Sequence, residues 1–167
     1  MKPILFIALL CSLLAVSCSN SVCLEDLKDE AQNQEWTWIP YDSDLLQITG
    51  RTNYEKGDFV ILSWSSSAVT IGFVGTALET KIWTDIYVYL DVFVDGEDDP
   101  SSVIEYVQSG DDPAMVRVVS GLSYGPHVVT LYKKTESNLG DWYFYGLRVL
   151  GQAQKDLLPK AKKKKKI

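Results

Sequence analysis

His127 is the only histidine in the chain, and Ser120, Ser123 and several acids stand near it in sequence. A Ser-His-Asp arrangement can be drawn from these types. That chemistry needs a nucleophile held on a strained elbow with its base alongside, and no such elbow flanks His127. The residue follows Gly125-Pro126 at the start of an alternating run, so it reads as structural. Asp95, Glu97, Asp98 and Asp99 cluster in one loop and Asp111-Asp112 in another. Oxygen-rich loops can hold calcium, but this spacing matches no metal loop and reads as a solvated acidic hairpin. No metal or cofactor is expected. The three cysteines are Cys11, Cys18 and Cys23, and none follows. From Leu24 onward there is neither a thiol nucleophile, nor a zinc cluster, nor a disulfide scaffold.

Aromatic residues offer recognition rather than reaction. Fourteen of the nineteen are Tyr or Trp, which can bury a ring and still use a polar tip. Trp83 shares strand parity with Glu79 and Lys81, and Trp142 with Arg148, so both are expected to point outward. Tyr87 and Tyr89 alternate with Val88 and Leu90 and belong to the outer set as well. Outward rings can stack on the apolar C–H face of a sugar or anchor a neighbouring domain. The interdomain role is preferred, since aromatic anchors are typical of interfaces. Trp64, Phe59 and Phe73 read as core or near-core.

The elements that must position these groups are strands. The stretch 120–136 begins with Gly121, Gly125 and Pro126, which predict a tight turn. A long strand follows, with Val129, Leu131 and Lys133 on one face and the chain expected to leave the core at Lys133. Residues 87–94 alternate strongly, and Asp95-Gly96 is a hairpin signal. Strands are also expected at 36–39, 46–52, 59–64, 68–74, 78–83, 103–108, 115–119 and 142–150. Turns are expected at 65–67, at Gly75-Thr76 and at 109–113. In the last strand Tyr143, Tyr145, Leu147 and Val149 are expected to share a face. About nine short strands with regular turn signals and no helical window predict an all-β, antiparallel two-sheet jelly-roll sandwich.

Length and charge bound the rest. The chain has 167 residues, enough for one domain with tails, and 46% hydrophobic content supports a packed core. Residues 18–159 carry 9 bases against 22 acids, a net of −13. Such a body repels a phosphate backbone, which argues against nucleic acid as a partner. Residues 1–17 have a basic start, an apolar run and a small-residue end, the pattern of a signal peptide. Ala15-Val16-Ser17-Cys18 resembles a bacterial lipoprotein cleavage box, which implies Cys18 as the lipidated first residue of an exported, membrane-tethered protein. Ordinary secretion with cleavage near Ser17 is the other reading. Residues 18–35 read as a tether, 36–151 as the sandwich and 152–167 as a basic linker, with lysines at 162–166.

Four segments, taken together, resemble the amino-terminal domain of carbohydrate esterase family two. They are Ile48-Thr49-Gly50-Arg51; Ser63-Trp64-Ser65 with Phe73-Val74-Gly75-Thr76; Leu90-Asp91-Val92-Phe93-Val94-Asp95-Gly96; and Gly121-Leu122 with residues 127–136. Phe144-Tyr145-Gly146-Leu147 also fits, so the resemblance covers residues 45–150. It implies a jelly roll followed by an SGNH-type esterase domain that deacetylates plant polysaccharides. The family's catalytic Gly-Asp-Ser and Asp-x-x-His blocks do not occur in this sequence. The expectation is therefore a non-catalytic accessory domain of an exported carbohydrate esterase, cut off at the lysine-rich linker before its SGNH partner, with cell-wall polysaccharide as the ligand of the whole. A free-standing carbohydrate-binding module is the alternative; a hydrolase acting alone is disfavoured by the missing nucleophile.

Overall fold

The computed structural model describes residues 33–54 and 57–160. The expected leader, Cys18 and the lysines at 162–166 lie outside the described residues. Nine strands follow in order: β1 (Trp36–Pro40), β2 (Leu46–Thr49), β3 (Thr52–Asn53), β4 (Val60–Leu62), β5 (Ala68–Trp83), β6 (Tyr87–Val94), β7 (Ser102–Val107), β8 (Ala114–Lys133) and β9 (Trp142–Ala153). A 3-10 turn, Lys155–Leu157, follows β9.

All pairings are antiparallel, and the long strands β5, β8 and β9 each serve more than one neighbour. One layer uses the first half of β5 and the second half of β8, in the order β2-β5-β8-β6-β7. The other uses the second half of β5 and the first half of β8, then β9, with β1 and β4-β3 beyond it. The sheet thus curls over itself into the two layers of a jelly roll. Val69, Ile71, Val88, Leu90, Val92, Val129 and Leu131 of the first layer and Leu78, Ile82, Phe144, Leu147 and Val149 of the second form one apolar core.

Three irregularities govern which side chains reach that core. The first lies between Gly75 and Ala77, where residues 121–124 of β8 stand opposite Thr76 alone. Inward parity changes there from odd (Val69, Ile71, Phe73) to even (Leu78, Thr80, Ile82). Gly75 pairs with Gly125 on one side and Gly151 on the other. A Cβ on Gly75 would lie 2.1 Å from the Leu150 oxygen, and one on Gly151 2.1 Å from the Val74 oxygen. Gly75 and Gly151 thus permit a close backbone approach, and the turns expected at Gly75-Thr76 and before His127 are replaced by continuous strand. The second skips Val118 of β8, which is buried, between Val119 opposite Leu78 and Arg117 opposite Glu79. The third skips Tyr145 between Phe144 and Gly146 of β9.

Lys133 also departs from expectation. Its side chain does face inward with Val129 and Leu131, but it is 0% exposed. Its Nζ donates to the main-chain oxygens of Ser63 at 3.0 Å and Thr135 at 2.8 Å. Burial lowers its pKa, partly opposed by Asp141, Glu136 and Asp85. The strand ends in the core because two carbonyls receive the ammonium there.

Candidate functional site

The single histidine is built into a clasp between β6 and β8. Asp95 and Gly96 both take positive φ, 54° and 76°. This turn brings the Asp95 carboxylate against β8. Its Oδ1 accepts the Val128 N–H at 2.8 Å, and its Oδ2 lies 2.8 Å from His127 Nδ1. His127 Nε2 lies 2.8 Å from the Ser123 main-chain oxygen. A carbonyl and an ionised carboxylate only accept, so the pair of contacts suits the doubly protonated ring. Burial pulls the His127 pKa down, but the Ser123 carbonyl and Asp95 carboxylate outweigh it and hold the value above normal. Burial likewise pushes Asp95 up, yet His127 and the Val128 N–H keep it below the usual carboxylate range. Ser123 enters through its carbonyl, not its hydroxyl. Asp95 is committed to this clasp and Glu97 accepts from the Ser101 hydroxyl, so two of the four acids of that loop have structural partners.

A second constellation covers the outer face of the other layer. Trp38, Arg148, Glu79 and Arg117 stand directly opposite one another on β1, β9, β5 and β8. Glu79 is buried, and each of its carboxylate oxygens receives one arginine. Arg117 Nε and a terminal nitrogen reach Oε1 at 3.2 and 2.8 Å, and Arg148 Nε reaches Oε2 at 2.7 Å. Burial raises the Glu79 pKa, but the two arginines reverse the effect and lower it. Arg148 in turn lies over the Trp36 ring, 4.7 Å from its centroid. Trp38 rests where a side chain at position 146 would begin: a Cβ there would be 2.7 Å from the indole Cζ2. Beyond it Lys81 lies 5.5 Å from the Tyr145 centroid, and Phe59, Tyr143 and Trp83 continue the row edge-on.

The family model described as carbohydrate esterase 2 N-terminal matches residues 48–159. The chain belongs to this family. It is 30% identical over 105 residues to the cellulase/esterase CelE of Acetivibrio thermocellus, covering 63% of this chain and 12% of that protein. A family two carbohydrate esterase from Clostridium thermocellum, solved in complex with cellohexaose, is 28% identical with a TM-score of 0.58, over 70% of this chain and 34% of that one. The chain therefore spans about a third of that solved esterase. The CBM36-1 domain of a multidomain xylanase from the hindgut metagenome of Trinervitermes trinervoides shares the fold, with a TM-score of 0.55 at 15% identity over 70% of this chain and 98% of that one.

Within this carbohydrate esterase 2 N-terminal domain the four expected contact residues do not form one site. Trp83 is half-buried on the outer face of the second layer; its Nε1 donates to the Gly110 oxygen at 3.2 Å and its ring meets Tyr143 at 4.8 Å. Tyr87 and Tyr89 lie on the outer face of the first layer, 5.5 Å apart, with the Tyr89 hydroxyl on Glu105. Trp142 is a correction: it is 0% exposed, because the skip at Tyr145 turns residues 142 and 144 inward. For the same reason Tyr143 and Tyr145 face opposite to Leu147 and Val149. Trp64, read as near-core, is 48% exposed with Arg51 4.9 Å over its ring. The residues missed are Trp36, Trp38, Glu79, Arg117 and Arg148 as a group. The Trp-Thr-Trp alternation signals one shared face, but nothing in sequence sets β1 against β9. Trp36 and Trp38 also precede the stretch matched by the family model.

Proposed function

We propose that this domain is the non-catalytic accessory part of an exported carbohydrate esterase and works beside an SGNH-type esterase domain that supplies the reacting groups. The observation that carries the reading is the state of His127. Both ring nitrogens are engaged, one by Asp95 and one by the Ser123 carbonyl, so neither is free to take a proton from a nucleophile. Family membership supports the esterase context. The chain past β9 is held against the sandwich: Leu157 packs where a Cβ on Gly72 would lie, and Leu157 and Pro159 line a groove of about 520 Å³ with Asp95 and His127. A domain joined there would be kept close to the clasp end of the sandwich. Acetylated cell-wall polysaccharide is the substrate class of the combined protein, and lipidation of Cys18 is its tether.

The test is acetate release from a chromogenic acetate ester by the purified chain. No turnover above background is expected, and His127→Gln should not change the result. Turnover that scales with protein and disappears in His127→Gln would overturn the reading. The tether is checked by intact mass of the membrane fraction, where an unmodified Cys18 would remove it.

A further inference from the structure

We infer that the outer face built on Trp36, Trp38 and Arg148 is a binding site for a pyranose polysaccharide that carries uronate carboxylates. The site is prearranged. Trp38 is 46% exposed, yet one side of its ring is set against the Gly146 backbone, so it presents indole to solvent from a fixed seat. Trp36 is 38% exposed and is held by the Arg148 guanidinium, which the buried Glu79 carboxylate holds in turn. Rings and guanidinium that are already ordered lose little entropy when a ligand arrives.

The mixture of groups selects the ligand class. A sugar ring offers an apolar C–H face to an indole and hydroxyls or a carboxylate to a guanidinium at its rim. Trp and Arg also serve protein interfaces, so a second copy of this chain is the competing occupant that the sedimentation arm of the test addresses. The charged row Arg148–Glu79–Arg117 begins beside the two indoles of β1 and runs away from them across β9, β5 and β8. Two guanidiniums share one carboxylate, which leaves positive charge in excess on a chain whose net charge is −6. A glycan carboxylate complements that local excess at the rim of the indoles. The inference is independent of the esterase context, and its failure would leave the accessory role untouched.

The experiment is affinity electrophoresis and calorimetry of the full chain with glucuronate-substituted xylan and with the same polymer after carboxyl reduction. Binding to the acidic form is expected, several-fold tighter than to the reduced form and weakened by salt. Trp38→Ala should reduce affinity about tenfold, with only a small fall in melting temperature because nearly half of the residue is exposed. Arg148→Gln should abolish the preference for the acidic polymer. No binding, equal binding by Trp38→Ala, or equal affinity for the two polymers would overturn the inference. So would sedimentation that finds a dimer disrupted by Trp38→Ala in place of glycan binding.

Discussion

The imidazole of His127 and the carboxylate of Asp95 meet at 2.8 Å, and the opposite ring nitrogen faces the Ser123 carbonyl at the same distance. The contact joins the turn after β6 to the part of β8 that follows the irregular residues 121–124. Its pH window follows from the directions of the two shifts. The His127 pKa is raised, so its contribution is full below about 6.5, the ordinary histidine value, and is lost as pH rises through the folded value. The Asp95 pKa is lowered, so its contribution is present above about 3.9 and is lost as pH falls through the folded value. Urea unfolding across pH should show stability falling on the alkaline side. In His127→Gln that alkaline slope should vanish, with a loss of about 1–2 kcal/mol near pH 6 after discounting for the half-exposed Asp95. Identical pH profiles for the two proteins would exclude the clasp.

Glu79 serves two arginines from one buried carboxylate. An amide at this position keeps the shape but leaves two guanidiniums without a countercharge. Glu79→Gln should cost roughly 2–3 kcal/mol, below the range for a wholly buried pair because both arginines reach solvent. The lowered Glu79 pKa places its stabilisation above about 4.3, to be lost as pH falls through the folded value. Chemical denaturation at pH 7 and pH 3 checks both parts, since the difference between wild type and variant should shrink at the lower pH.

Gly146 cannot be replaced without moving its neighbours. Its φ is +145°, and a Cβ would lie 2.5 Å from the Ile39 oxygen and 2.7 Å from the Trp38 ring. Gly146→Ala should destabilise by roughly 2–4 kcal/mol. It should also lift Trp38 from its seat, so acrylamide should quench tryptophan fluorescence more efficiently than in wild type. Unchanged quenching together with unchanged melting would mean that the ring and the glycine are not in contact.

The sandwich was legible where parity runs unbroken. Val88, Leu90, Val92 and Val94 alternate in sequence and all are buried in β6. The structural role of His127 was legible too, from the lack of a nucleophile elbow, although its partner Asp95 was not. Parity fails wherever a residue is skipped, because a one-residue slip moves every later side chain to the other face. That is why alternation places Trp142 outward. The division of β5 at Gly75 fails because that glycine admits a close backbone approach, and the division of β8 at Gly121–Pro126 fails because the strand passes through the irregularity opposite Thr76 without reversing. Lys133 was misread for a different reason. A lysine at a strand end ordinarily marks the exit to solvent, and the carbonyls of Ser63 and Thr135 that receive it are set by loops, not by a pattern in the strand. The Glu79 row was invisible because it joins four strands whose register only the fold defines.

Trp142 separates the two descriptions of β9 by measurement. If residues 142–149 kept one parity, Trp142 would share the outer face with Arg148, and its removal would change stability by less than about 0.5 kcal/mol, as for most surface positions. The skip at Tyr145 instead packs its ring against Phe144, 5.6 Å between centroids, in the centre of the core. Trp142→Ala should therefore cost roughly 3–5 kcal/mol, through lost burial and the cavity left behind. Trp142→Phe should cost far less, because the indole N–H is buried without a hydrogen-bond partner among the described residues and no bond is broken by deleting it. Equilibrium unfolding of the two variants gives the answer: a small effect of Trp142→Ala would restore the outward reading, whereas a large effect of Ala with a small one of Phe is the signature of a packed ring that uses only its apolar surface.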